Sequence, residues 1–153
     1  MTTDQKDVAV TGSTQEVAKV LYTAKTHTAG GRRGGASRSD DGRLDVKFIS
    51  PIVPGTGTNP EQLFAAGWSA CFISAMVLVA GKMKIKLPDE TTVDAEIDLC
   101  NSDDVYSLRA RLNVSLPGVE REVAHAIVDD THSKTCAYSN ATRGNVDVTI
   151  NLL

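Results

Sequence analysis

The stretch NPEQLFAAGWSACFISAMVLVAGK, Asn59 to Lys82, decides the architecture, because it is the longest continuous helical candidate in the chain. Asn59 is a good N-cap, Pro60 suits the first helical position, and Glu61 places negative charge at the positive end of the helix dipole. About 24 residues at roughly 1.5 Å each make a helix about 36 Å long. From Leu63 to Ala80 it is apolar nearly all round, with Ala, Gly and Ser on several faces. A helix of that kind is buried on more than one side, by sheet, by another helix or by a partner subunit.

Upstream of it, Ser50 to Thr58 is a loop rich in Pro, Gly and Thr. Leu44, Val46 and Phe48 alternate with polar residues after the turn signal Asp41-Gly42, so residues 36–49 read as a hairpin. The segment 28–35, ThrAlaGlyGlyArgArgGlyGly, reads as a glycine-rich bend, and Val20 to Thr26 as a strand before it. Residues 1–17 are polar and are expected to form a flexible arm, with 18–153 a single domain.

Downstream, after Pro88, the period changes to two. Val93, Ala95, Ile97 and Leu99 alternate with acids, AsnSerAspAsp at 101–104 supplies a turn, and Tyr106 to Leu116 alternates again. This is an antiparallel hairpin with one wet face. Val119, Val123, Ile127 and Val128 follow at helical spacing, and Val146, Val148, Ile150 and Leu152 form a last strand. Strands, long helix, strands, helix and strand predict an α+β fold built of antiparallel sheets around a long central helix.

The chain has 153 residues, 41% of them hydrophobic, enough for one domain with a real core. Sixteen basic and nineteen acidic residues give a net charge of -3 with no long run of either sign, which argues against nucleic acid and anionic membrane as partners. No uninterrupted apolar run reaches the roughly 18 residues of a membrane span, and the polar start lacks the order of a signal peptide. The expectation is a cytoplasmic protein.

Cys71, Cys100 and Cys136 are too few and too widely spaced for a disulfide framework. Taken alone, Cys71 in its apolar helix reads as a small core hydrophobe. Cys136 lies in a polar stretch and reads as the more accessible thiol, equally open to a structural or a reactive role. Cys100 reads as structural. His132 and Cys136 share a helical spacing used by zinc ligands, but with no second ligand pair no metal is expected. Neither a nucleophile elbow nor a phosphate-binding loop is present.

Three stretches acquire meaning together: ThrAlaGlyGlyArg at 28–32, ThrAsnProGluGlnLeuPheAlaAlaGlyTrpSerAlaCysPhe at 58–72, and CysAlaTyrSerAsnAlaThrArgGlyAsnValAspVal at 136–148. With SerLeuProGly at 115–118, they closely resemble, in order, the Ohr (organic hydroperoxide resistance) branch of the OsmC/Ohr family. The resemblance runs from about Leu21 to the C-terminus. It implies a thiol-dependent peroxidase that reduces organic hydroperoxides, fatty-acid hydroperoxides included, to alcohols. Cys71 then matches the peroxidatic cysteine, Cys136 the resolving one, Arg32 the active-site arginine and Glu61 the carboxylate that orients it. The family's members are intertwined homodimers with active sites at the subunit interface. They bind no cofactor and are recycled by an external dithiol, a dihydrolipoyl group on a lipoylated protein. Two departures stand out: Arg33 replaces a small or acidic residue, and Ala137 replaces the proline that often follows the resolving cysteine.

The chemistry accounts for these residue types. Only a thiolate attacks peroxide, and an ordinary thiol is about 3% ionised at pH 7, so a buried Cys71 needs a cation close by. Arg32 supplies a permanent charge in a rigid fork, and Glu61 fixes its direction. Phe64, Trp68 and Phe72 lie on the helix that carries Cys71 and are candidates to wall a greasy substrate site. The alternatives are the OsmC branch, with similar chemistry, and a non-catalytic thiol redox sensor.

Overall fold

The structure, a computed structural model, describes residues 18–153. The arm expected over 1–17 lies outside the described residues.

Helix α1, Pro60–Lys82, is fixed at both ends by its own sequence. Asn59 is extended, and its side-chain oxygen accepts the Gln62 N–H at 2.8 Å. At the other end Lys84 adopts φ +59 and Ile85 N–H bonds back to the Ala80 carbonyl at 2.9 Å, the left-handed stop more often made by glycine. Trp68, Phe72, Ala75, Met76, Val79 and Ala80 are buried along one side. The opposite side is open, with Val77 and Leu78 54% and 62% exposed. The helix reaches the length and mean hydropathy, 2.0, of a membrane span. Gly67, Ser69 and Ser74 interrupt the apolar run, yet the mean stays that high. In this fold its apolar side lies against a sheet.

That sheet holds β4, Thr92–Ser102, β5, Val105–Ser115, and β6, Asp147–Leu152, in that order. β4 and β5 are antiparallel, with Ser102 opposite Val105. Only Asp103 and Asp104 lie between them, both at positive φ, the backbone a tight two-residue hairpin requires. Ala110, Leu112 and Val114 face the core, while Arg111 on the wet face is gripped by Asp98 and Glu96.

β6 departs from the antiparallel expectation and runs parallel to β5, from Arg109 opposite Asp147 to Val114 opposite Leu152. A parallel neighbour needs a crossover. The crossover is α2, Arg121–Asp130, a π-turn over Thr131–Thr135, and α3, Ala137–Thr142. Alternation reveals that a strand exists and which face it buries, but not its direction.

The remaining strands, β1, Thr26–Ala29, β2, Ala36–Ser39, and β3, Asp45–Lys47, form a small antiparallel sheet. The strand expected over Val20 to Thr26 therefore begins only at Thr26, because β2 is four residues long and offers no partner further back. Val20, Leu21 and Tyr22 are 75%, 87% and 77% exposed. Reciprocal bonds between Thr58 and residues 47 and 49 close the loop that leads into α1.

Candidate active site

Two cysteines meet where α1 and α3 pack together. Cys136 S–H donates to Cys71 Sγ at 3.5 Å, and both are reduced. Cys71 comes from the middle of α1, and Cys136 caps α3, its sulfur accepting the Ser139 N–H at 3.5 Å. The expected accessibilities are reversed: Cys136 is fully buried and Cys71 only partly so. The polar stretch around Cys136 folds inward because Ser139 and Thr142 find hydrogen bonds of their own there.

Gly67, one turn before Cys71, lets the two helices approach. A methyl at that position would lie 2.6 Å from the Tyr138 hydroxyl. Glycine inside a helix costs about 1 kcal/mol relative to alanine, and here it leaves room for the tyrosine next to the buried thiol. Phe64 packs edge-on to both Trp68 and Tyr138, at 5.7 and 6.2 Å between ring centres.

Ser139 is the polar hub of the junction. Its hydroxyl oxygen accepts the Trp68 indole N–H at 3.2 Å and lies 3.0 Å from His132 Nδ1. Arg143 in turn holds the His132 carbonyl and, at 2.9 Å, the Asn140 side chain. Burial pushes the Cys136 thiol up, opposed by Ser139's N–H and hydroxyl. Burial and then the Arg143 charge push His132 down, opposed by Asp129. The sequence reading gave Ser139 no role and His132 only that of a zinc partner for Cys136. In the structure the sulfur contacts Cys71 and the Ser139 N–H, and the imidazole contacts the Ser139 hydroxyl. The available signal was Ser139 three residues after Cys136, at the helix position a capping atom reaches.

Arg32 and Glu61 form a separate cluster at the start of α1. They are paired fork to fork, both contacts 2.9 Å. Arg32 is held by the Gly30–Gly35 bend, where Gly30 and Gly34 have positive φ and a Cβ at Gly35 would sit 2.5 Å from the Gly31 carbonyl. The guanidinium draws the Glu61 carboxyl below its ordinary value, and the carboxylate raises Arg32. A cavity of about 360 Å³ opens beside the pair, lined also by Ala65, Ile97 and Leu99.

Among the described residues no hydrogen bond joins Arg32 to Cys71 within one chain. Glu61 takes its recorded side-chain bonds, and ten residues of helix, about 15 Å, separate Glu61 from Cys71.

Of the aromatic wall, Trp68 and Phe72 are fully buried and only Phe64 keeps some surface. Arg33 lines a different cavity, of about 540 Å³, with Lys47, Phe48 and Ile52. Ala137 is the first residue of α3, a position that also suits proline, rather than part of a free loop. Cys100 lies in β4 opposite Ser107 and takes no part in the thiol contact.

The α+β fold lays one thiol of its central helix against a second, buried thiol. The OsmC-like protein family model matches residues 53–151. The organic hydroperoxide resistance protein of Xanthomonas axonopodis pv. citri is 45% identical over 138 residues, 88% of this chain and 96% of that one. The organic hydroperoxide resistance protein OhrB of Bacillus subtilis is 42% identical over 86% of this chain and 98% of its own. The crystal structure of OhrB superposes with a TM-score of 0.81, covering 88% of this chain and 100% of that one. The chain belongs to the OsmC/Ohr family, in its Ohr branch.

Proposed function

We propose that this protein detoxifies organic hydroperoxides, reducing them to alcohols by thiol chemistry at Cys71. The observation that carries the reading is the 3.5 Å contact between Cys71 and Cys136 at the junction of α1 and α3. It is supported by the organic hydroperoxide resistance proteins to which the chain is similar.

The Cys71 thiolate attacks the terminal oxygen of the hydroperoxide. A sulfur–oxygen bond forms, the oxygen–oxygen bond breaks, and the alkoxide leaves with the electron pair and takes a proton to become the alcohol. Cys136 then attacks the sulfenic acid of Cys71, forming a disulfide and releasing water before the sulfur is oxidised further. The sulfurs have about 1.5 Å to close to reach bonding distance. A dihydrolipoyl dithiol on a partner protein reopens the bond by exchange, returning two electrons and two protons and closing its own disulfide. No bound cofactor enters this scheme.

The acting unit is a homodimer. The open face of α1 and the exposed Val20, Leu21 and Tyr22 are apolar surface for a second copy. Two long helices crossing on that face bring the N-terminal end of one toward the middle of the other, so that Arg32 and Glu61 of one copy serve Cys71 of the second. The 360 Å³ cavity beside the pair then receives the apolar chain of the substrate, with Phe64 at the junction.

The test is steady-state consumption of cumene hydroperoxide with dihydrolipoamide, comparing the wild type with Cys71→Ser and Cys136→Ser. Many turnovers in the wild type and none in Cys71→Ser are expected. Consumption that stops at one equivalent per chain with every dithiol tried assigns the protein to redox sensing instead.

A further inference from the structure

The cavity of about 540 Å³ beside Arg33 takes no part in the chemistry proposed above. It shares two segments of chain with the smaller cavity next to the Arg32–Glu61 pair. Arg32 and Pro51 line the smaller one, while Arg33 and both neighbours of Pro51, Ser50 and Ile52, line the larger. Consecutive α-carbons are about 3.8 Å apart, so a substrate seated at Arg32 is one residue's breadth from the larger cavity.

The larger cavity has an apolar wall. Phe48, Ile49, Ile52 and Val53 form it, with Ile52 and Val53 89% and 54% exposed. Backbone bonds hold this wall in place: Ile49 N–H to the Thr58 carbonyl at 2.9 Å and Val53 N–H to the Ser50 carbonyl at 3.0 Å. Gly55 and Gly57, both at positive φ, close over Ile49, and a Cβ at either would meet its side chain at 2.7 Å.

Two cations stand on the same cavity. The Gly34 N–H bonds to the Phe48 carbonyl at 3.1 Å, and Arg33 and Lys47 each come one residue before an end of that bond. Both line the cavity. Arg32 is held by Glu61, whereas among the described residues neither Arg33 nor Lys47 is in an ion pair. Arg33 is also a position at which the sequence departs from the family it resembles. Two positive charges beside an apolar wall match a carboxylate at the end of a hydrocarbon chain. A guanidinium fork takes both carboxylate oxygens, and the ammonium adds a second charge.

We propose that this cavity is a carboxylate subsite, which makes long-chain hydroperoxy acids in their free, anionic form the preferred substrates. The subsite rests on the peroxidase function proposed above and adds to it the end of the substrate that is recognised. The peroxide lies at Arg32, the chain crosses onto Phe48, Ile49 and Ile52, and the carboxylate ends between Arg33 and Lys47. An esterified chain, as in an intact lipid, keeps the apolar contact and loses the charge contact. The site therefore selects acids already released from lipid.

The experiment compares kcat/KM for linoleate hydroperoxide and its methyl ester, both below their micelle-forming concentrations. The wild type should prefer the acid, and the preference should shrink as salt rises. Arg33→Gln and Lys47→Gln should each cut it about 5-fold, through KM rather than kcat, the measure of one partly exposed charge contact. An acid-to-ester preference equal in wild type and the double variant would overturn the subsite. Oleate, which carries no peroxide, separates this result from a failure of the peroxidase function itself. Its binding, followed by titration calorimetry, should weaken in the double variant whether or not the wild type consumes cumene hydroperoxide, and unchanged binding would also overturn the subsite. The rival occupant is a second copy of the chain: an Ile52→Asn protein that elutes as a monomer would assign the apolar wall to that copy instead.

Discussion

Trp68 and Ser139, separated by 71 positions, are joined by an indole-to-hydroxyl hydrogen bond of 3.2 Å inside the core. The bond ties the helix that carries Cys71 to the short helix that Cys136 caps, so the distance between the sulfurs depends on it.

Trp68→Phe removes the donor and part of the ring. It should cost about 2–4 kcal/mol, combining a lost buried hydrogen bond with a cavity, and is read as a lower urea midpoint. The Cys71–Cys136 disulfide should also form more slowly, because α3 is less firmly seated on α1.

Thr131 presents the opposite case. Its hydroxyl is buried in the π-turn without a hydrogen-bond partner among the described residues. Thr131→Val replaces it with a methyl of the same shape and should raise stability by about 1 kcal/mol, with the urea midpoint higher and the slope unchanged.

Burial raises the Cys136 thiol above its ordinary value. In the Cys71→Ser variant, alkylation of Cys136 should therefore reach half its maximal rate above about pH 8.5, the value of a free thiol. The sign for stability follows: the fold favours the protonated form, so this contribution is complete below the unfolded value and lost as pH rises through the folded one. Urea titrations at two pH values spanning that window should give the lower stability at the higher pH.

Arg32→Ala and Glu61→Gln each break the fork-to-fork pair. Either should slow peroxide oxidation of Cys71 by about 10- to 100-fold, the size of effect a misplaced catalytic group produces. Mixing Arg32→Ala with Cys71→Ser protein under conditions that exchange subunits should restore part of the activity, since one site of the mixed dimer regains both residues. Failure to complement would place both groups in the same chain's site.

The parts of the fold that announce themselves are those whose signal is local. The α1 start is written in Asn59-Pro60-Glu61, and the β4–β5 hairpin in its alternation, because capping and pleating act over a few residues. The parallel pairing of β6 is set by a crossover of three helical pieces and leaves no mark on the strand itself. Val20 to Lys25 reads as a strand but, among the described residues, joins no sheet.

At the site, Cys71, Cys136, Arg32 and Glu61 were named through the family resemblance. The burial of Cys136 escaped because its neighbours Ser139 and Thr142 are polar and look solvated until their partners are known. The Ser139–His132 contact depends on a π-turn, and composition carries no signature of that widening.

The same π-turn gives Cys136 a phase different from the one a continuous α-helix would impose. In a continuous α-helix every residue inserted or deleted would swing whatever follows by about 100°. Here the chain is re-phased at the junction by cross-ties that end on it: Cys136 N–H to Thr131, the Asn140 amide to the Lys134 carbonyl, and Arg143 to the carbonyl of His132. The thiol is therefore held to residues 131–134 by bonds of its own and not by helix phase alone.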